Sequence, residues 1–97
     1  MTAEEGAAPI AQADMREAMR DILADVLALK PATARGLRDE TPLFGHLPEL
    51  DSMAVASVLT EIEDRLGITI DDDEVDGDLF ASFGALVAFA RAKVAAR

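Results

Sequence analysis

The stretch LPELDSM, residues 47–53, holds the side chains of this sequence that are best suited to chemistry. Ser52 carries a hydroxyl group, follows Glu49 and Asp51, and comes directly before apolar residues at helical spacing. A serine at the start of a helix can cap it by accepting a hydrogen bond from a first-turn N–H group. The first-turn N–H groups and the helix dipole also favour an anion, so a phosphate esterified to Ser52 would be stable there. Both interpretations use the same local geometry.

A hydrolase built on Ser52 is disfavoured by the rest of the sequence. The only histidine, His46, lies six residues upstream, and there is no G-x-S-x-G motif. A chain of 97 residues leaves little room for an oxyanion hole and a substrate cleft. The absence of cysteine also excludes thiolate chemistry by the chain itself. We therefore interpret His46 as a surface loop residue and predict that the protein is not an enzyme.

The acidic segment after residue 70 partly matches a calcium-binding loop. Asp72, Glu74, Asp76 and Gly77 fit positions 1, 3, 5 and 6 of an EF-hand loop, but position 12, which should be a bidentate glutamate, is Phe83. The helical pattern that should precede such a loop is also missing. We therefore predict no specific metal site, only a general attraction of divalent cations to these carboxylates.

The net charge of −10 is concentrated in one part of the chain. Residues 49–78 contain eleven acids and a single base, Arg65, while the remaining residues sum to zero. Such a surface repels phosphate, which argues against nucleic acid as a partner. Basic patches on other proteins are the natural complement.

Apolar residues at three- and four-residue spacings predict three amphipathic helices, at residues 13–29, 52–66 and 82–95. Between the last two, the isolated alternation of Ile68 and Ile70 cannot form a sheet without a partner strand, so we predict a loop with one helical turn near residues 72–75. The fold class is therefore an all-α bundle of three main helices plus one short helix. The helical apolar positions are Met15, Met19, Ile22, Leu23, Val26, Leu27, Val55, Val58, Leu59, Ile62, Leu66, Phe83, Leu86, Val87 and Phe89.

Proline, glycine and serine mark the expected helix ends. Pro31 should stop the first helix, Gly67 should cap the second at its C-terminus, and Ser82 should cap the third at its N-terminus. The connection before the second helix, residues 30–51, is unusually long for a compact domain. A long loop held by its own apolar side chains usually carries a function. The apolar residues of this connection, all expected to be buried, are Leu37, Leu43, Phe44, Leu47 and Leu50.

The length indicates one small domain. Residues 1–12 are mostly small or polar, so we expect a flexible tail there and the folded domain at residues 13–97. No apolar run is long enough to cross a bilayer, and residues 1–6 are acidic rather than basic. The initial methionine and these features favour a free-standing, monomeric, cytoplasmic protein.

Several linked motifs resemble the acyl carrier proteins. "TPLFGHLPELDSM" is similar to the long first loop of that family, which ends at the attachment serine, and "VLTEIEDRLGITIDDDEV" is similar to its second helix and the acidic turn that follows. "LFASFGALVAFA" resembles its closing helix. The likeness extends over about residues 15–94.

The resemblance implies a carrier with a 4'-phosphopantetheine arm on Ser52, whose terminal thiol holds acyl groups as thioesters. It also implies a phosphopantetheinyl transferase as a partner, with Asp51 helping to hold the metal-bound cofactor of that enzyme. Acyl-activating ligases or synthases of lipid or secondary-metabolite biosynthesis, with basic docking patches, would be the other partners. The docking residues expected around Ser52 are Met53, Ala56, Thr60, Glu63 and Asp64.

Met53 stands where leucine is usual in the family, a swap of similar volume that should keep partner contact. Ser57 stands where many members have an acid, and Ala54, Ala56 and Thr60 also leave the upper part of the second helix lightly charged, which favours a specialised carrier. The alternatives are a peptidyl or aminoacyl carrier, and an acidic helical interaction module without a prosthetic group. Ile68, Ile70 and Val75 either shelter an acyl chain or simply fill the core.

Overall fold

The computed structural model describes residues 12–96, which form a bundle of helices without β-strands. The predicted all-α fold of three long helices and a short one is confirmed. The tail expected at residues 1–12 lies outside the described residues, except that Gln12 already belongs to the first helix. The helices are α1 Gln12–Leu27, α2 Pro31–Arg35, α3 Ser52–Leu66 and α4 Phe83–Ala96, with 3₁₀ turns at Asp72–Glu74 and Gly77–Phe80.

Helices α1, α3 and α4 enclose one apolar core. Helix α1 packs against both α3 and α4, and α2 packs on α1. Most of the predicted core positions are buried, whereas Val26, Val55, Leu59 and Phe89 lie half-buried at the edge of the core. Within residues 12–96, no helix is long and apolar enough to cross a membrane. The largest fully buried side chains are Met15, Met19, Ile22, Leu23, Leu37, Leu43, Val58, Ile62, Phe80, Phe83, Leu86 and Val87.

The first helix ends differently from the prediction. It stops at Leu27, because Ala28 adopts a left-handed conformation (φ 54°) and the N–H of Leu29 donates to the carbonyl of Ala24 at 3.0 Å. Pro31 is not the stop signal: it starts α2, at a position where the missing N–H of proline costs nothing. The expectation of an unstructured connection over residues 30–51 was therefore wrong in its first part.

The other helix ends follow the predicted chemistry. Gly67 is left-handed (φ 66°), and its N–H donates to the carbonyl of Glu63 at 2.9 Å. The Ser82 hydroxyl accepts from the N–H of Ala85 at 3.1 Å and so caps α4.

The acidic segment forms two 3₁₀ turns rather than one. The turn expected near residues 72–75 is present, but the second, Gly77–Phe80, was not predicted. Asp76 begins it by accepting hydrogen bonds from the N–H groups of Asp78 and Leu79. This turn buries Leu79 and Phe80 in the core, so two apolar residues among many acids fasten the segment to the bundle.

Two arginines of α1 hold the long loop, residues 36–51, from one side. The Arg16 guanidinium donates two hydrogen bonds to the Asp39 carboxylate, at 2.8 and 2.7 Å. This contact lowers the pKa of Asp39 below its usual value. Arg20 donates to the carbonyl of Leu37 at 2.8 Å and lies over the Phe83 ring, 5.3 Å from its centre.

The start of α4 holds the same loop from the other side. The N–H of Phe83 donates to the carbonyl of Thr41, and the N–H of Gly84 donates to that of Asp39, both at 2.8 Å. Amides of a first helical turn have no hydrogen-bond partner within their own helix. These two bonds therefore give partners both to the amides of α4 and to the carbonyl groups of the loop. A Cβ atom on Gly84 would lie only 2.8 Å from the Asp39 carbonyl oxygen.

Apolar side chains complete the attachment of the loop, with one exception to the prediction. Leu37, Leu43, Leu47 and Leu50 are buried. Phe44 is 47% exposed, so its expected burial was wrong. Its ring packs against that of Phe80, which is buried, with the centroids 5.6 Å apart.

We expect Gly84→Ala to lower the free energy of unfolding by about 1–3 kcal/mol, the usual cost of forcing extra atoms into a packed site. Helix propensity alone predicts a gain of up to about 1 kcal/mol for this change. The sign of the change in the free energy of unfolding therefore tests whether the loop and α4 approach each other this closely. Gly77→Ala is the control, since nothing lies within 4 Å of its Cβ position. Urea unfolding of both variants measures the difference, and a stabilised Gly84→Ala would contradict the packing.

An ion pair ties the first 3₁₀ turn to α4. The Lys93 ammonium lies 2.8 and 3.1 Å from the two carboxylate oxygens of Glu74. Glu74 also accepts from the N–H of Asp71 at 2.9 Å. The Lys93 contact, and then the Asp71 N–H, lower the pKa of Glu74 from its ordinary value of 4.5.

This lowered pKa gives a pH dependence with a definite sign. A carboxylate whose pKa is lower in the folded state stabilises the fold above its unfolded pKa, and that contribution disappears as the pH falls through the folded value. We expect Glu74→Gln to melt at a lower temperature than the wild type at pH 7, with the difference shrinking below pH 4.5. Asp73→Asn, which removes the same charge from an exposed side chain of the turn, should show no such loss. Equal melting of wild type and Glu74→Gln at pH 7 would contradict the pair.

Candidate functional site

Ser52 is the first residue of α3, and its side chain is exposed. The cap of this helix is Asp51, whose carboxylate accepts from the N–H of Ala54 at 2.8 Å. The N–H of Val55 donates to the carbonyl of Asp51 at 2.9 Å, which closes the first turn. The interpretation of Ser52 as the helix cap was therefore wrong, because the preceding aspartate performs that role.

The capping role of Asp51 leaves the Ser52 hydroxyl available. Among the side-chain hydrogen bonds within residues 12–96, none involves this hydroxyl. The N-terminal end of the 15-residue helix carries unpaired N–H groups and a partial positive charge. Because the Ser52 side chain is exposed, a phosphate on it meets no steric obstruction, and the first-turn N–H groups that Asp51 does not bind favour the anion. His46 is exposed, as predicted.

The last part of the loop sets the position of Ser52. The N–H of Leu47 donates to the carbonyl of Leu43, and the N–H of Leu50 to that of Leu47, both at 3.0 Å. Leu47 and Leu50 are buried, whereas Pro48 and Glu49 are exposed. Two apolar anchors therefore fix the chain immediately before α3, and the hydroxyl points away from the core.

The predicted docking residues share one side of α3. With about 100° of rotation per residue, they fall within an arc of about 120° that includes Ser52. Met53 is the most exposed large apolar side chain there, at 82%. Ala56, Thr60 and Asp64 are exposed, and Glu63 is half-buried. Helical geometry thus brings the predicted surface together.

The acids of α3 are less free than the sequence implies. Glu63 accepts a hydrogen bond from the N–H of Ile70 at 2.7 Å and so holds the segment that follows Gly67. Glu61 pairs with Arg65, which also pairs with Asp25 of α1. These internal uses were not predicted. The pair of Glu61 and Arg65 follows from helical spacing, whereas Arg65 meets Asp25, and Glu63 meets Ile70, only in the fold.

A shallow apolar groove begins one turn below Ser52. Its volume is about 220 Å³, and it lies between α3 and the first 3₁₀ turn. Ile68 belongs to the core, whereas Ile70 and Val75 are half-buried and face this groove. Ile68 therefore fills the core, whereas the shelter of an acyl chain by Ile70 and Val75, which also pack against the core, stays a prediction. The groove is lined by Ala56, Leu59, Thr60, Glu63, Ile70, Asp72 and Val75.

The acidic segment is organised by hydrogen bonds of its own. Glu74 and Asp71 form a reciprocal capping pair, and Asp76 caps the second turn. Within residues 12–96, no group of three or more histidine, cysteine or acidic side chains is arranged to hold a metal ion.

The comparisons with known proteins agree with this geometry. The family model described as "Phosphopantetheine attachment site" matches residues 17–90. The fold is similar to a holo acyl carrier protein from Nitrosomonas europaea solved by NMR in solution, with a TM-score of 0.77 and 40% sequence identity over 82% of this chain and 95% of that one. None of the curated proteins matches the sequence. The chain belongs to the acyl carrier protein family, non-catalytic carriers with a covalently attached 4'-phosphopantetheine.

The capping arrangement predicts unequal effects at neighbouring residues. We expect Asp51→Ala to cost about 0.5–2 kcal/mol of stability, since it removes the cap of α3, and Asp51→Asn to retain most of it. Ser52→Ala should change stability by less than about 0.5 kcal/mol, as exposed substitutions away from caps usually do. Thermal unfolding of the three variants decides this, and a larger loss for Ser52→Ala than for Asp51→Ala would overturn the assignment of the cap.

Proposed function

We propose that Ser52 is the residue that carries the 4'-phosphopantetheine arm. The observation that supports it most directly is the exposed Ser52 hydroxyl, without an internal partner, at the start of α3. Attachment would join the Ser52 oxygen to the phosphate of coenzyme A in a phosphodiester, with loss of the hydroxyl proton and of the nucleotide portion. The thiol of the bound arm supplies the thioester chemistry that a chain without cysteine lacks.

We propose further that the cargo is an acyl group, presented to enzymes of lipid or secondary-metabolite biosynthesis in the cytoplasm. The 40% identity to a holo acyl carrier protein supports this, as does the apolar groove lined by Leu59, Ile70 and Val75. The groove begins at Ala56, about 6 Å along the helix from Ser52, within reach of a chain attached there.

The surface around Ser52 is the proposed docking site of a phosphopantetheinyl transferase and of acyl-loading enzymes. Met53, Ala56, Thr60, Glu63 and Asp64 form its α3 side, and a basic partner would complement the acids at its lower end. Asp51 lies beside the hydroxyl, but one of its oxygens is engaged with Ala54. Its second oxygen is the one suited to help hold the metal-bound cofactor of the transferase.

Incubation with coenzyme A and a phosphopantetheinyl transferase should add one phosphopantetheine to the wild-type chain, and Ser52→Ala should abolish the addition. Thr33→Ala is a matched control, because Thr33 is an exposed hydroxyl residue in the first turn of α2. Intact-protein mass spectrometry reads the outcome. Modification that persists in Ser52→Ala would reject the site, and a wild-type chain that never gains the arm would favour an interaction module.

A further inference from the structure

The four methionines of the chain differ in how far solvent can reach their sulfur atoms. Met15 and Met19 belong to the core and are 1% and 0% exposed, whereas Met53 is 82% exposed. Met1 lies outside the described residues. Within residues 12–96, Met53 is therefore the methionine that a small molecule in solution can reach while the protein is folded.

The reaction open to an exposed methionine is oxidation of its thioether. The sulfur attacks one oxygen of hydrogen peroxide, the O–O bond breaks, and the products are the sulfoxide and one molecule of water. The sulfur loses two electrons and the peroxide gains them. Cysteine, when a protein contains it, is the alternative target for such an oxidant, but this chain has none. A peroxide that meets the folded chain therefore finds the Met53 sulfur without a thiol competing for it.

Met53 lies where a change of polarity matters to the chemistry at Ser52. The two residues are consecutive in the first turn of α3, so their Cα atoms are about 3.8 Å apart. Residues 52–60 contain no charged side chain, and Met53 is the most exposed large apolar side chain of the helix. A sulfoxide at Met53 would place a strong hydrogen-bond acceptor on an otherwise uncharged surface, directly beside the Ser52 hydroxyl.

We propose that Met53 is a site of reversible oxidation and that its sulfoxide slows the attachment of the phosphopantetheine arm to Ser52. This inference rests on the proposed attachment at Ser52. Oxidation turns a flexible apolar side chain into a polar, chiral one. An enzyme that encloses Ser52 must then take water from the sulfoxide, which costs free energy. A methionine sulfoxide reductase reverses the change: two thiols become a disulfide, and the sulfoxide oxygen leaves as water.

Peroxide treatment of the chain before the arm is attached tests this. Catalase removes the peroxide before coenzyme A and the transferase are added, so that only the carrier has been oxidised. Peptide mass spectrometry should find one added oxygen on Met53 and none on Met15 or Met19. The KM of the transferase for the oxidised chain should rise at least about fivefold with kcat little changed, because binding alone is weakened. Reduction by methionine sulfoxide reductases should restore the original KM.

Met53→Leu is the matched control, since leucine has a similar volume and no sulfur. Peroxide should leave the KM of this variant within about twofold of its own value before treatment, as expected for a change at an exposed site elsewhere. Any oxidation at Met1 occurs in the variant as well, so its effect is measured separately. Met53→Gln, which is polar without any oxidant, should show a raised KM from the start.

The outcomes separate this inference from the proposed function. An untreated wild-type chain that gains the arm, with Met53 resistant to peroxide or with KM unchanged by its oxidation, would overturn the switch and leave Ser52 standing. An equal rise of KM in peroxide-treated Met53→Leu would also overturn it. So would added oxygen on Met15 or Met19 with a lowered melting temperature, because the effect would then come from damage to the core. A wild-type chain that never gains the arm would overturn both proposals.

Discussion

The bonds that close the long loop onto α1 and α4 are the constraint on which the rest of the structure depends. A segment of this length without regular structure carries backbone groups that must find partners when they approach a core. Arg20 binds the carbonyl of Leu37, and the first amides of α4 bind the carbonyls of Asp39 and Thr41. Through its carboxylate and its carbonyl, Asp39 links both helices to the loop.

This arrangement lets a small protein present a reactive group without building a cleft. The buried anchors Leu47 and Leu50 bring the chain to the start of α3, and Asp51 caps that helix. Ser52 then stands one residue beyond the cap, where its hydroxyl faces solvent and its backbone is held by the first turn. This combination of a fixed backbone and an exposed side chain suits the attachment proposed for Ser52.

Several acids of the acidic stretch also take part in bonds within the fold. Glu63 and Glu74 use their carboxylates to hold the segment between α3 and α4, and Asp76 uses its own to cap a turn. Glu61 is balanced by Arg65. A substantial part of the acidic stretch therefore shapes the backbone, and the helix surface next to Ser52 is neutral.

The sequence alone determined the three long helices, their end signals at Gly67 and Ser82, and the likeness to acyl carrier proteins that singled out Ser52. These features are local. Helical spacing, a glycine that tolerates positive φ and a contiguous motif can each be recognised from residues close together in the sequence. Of the five apolar loop residues that the sequence predicted to be buried, four are buried. It could not rank Asp51 against Ser52 as the cap, since both residue types serve that purpose and the backbone geometry chooses between them.

Only the tertiary structure decided the features that join distant residues. The second 3₁₀ turn buries Leu79 and Phe80 in the core, and Phe44 lies outside with its ring against Phe80. Glu63 meets Ile70, and Arg65 meets Asp25, only once the chain is folded. No repeating pattern in the sequence predicts these contacts, because they depend on how side chains that are far apart in the sequence pack together.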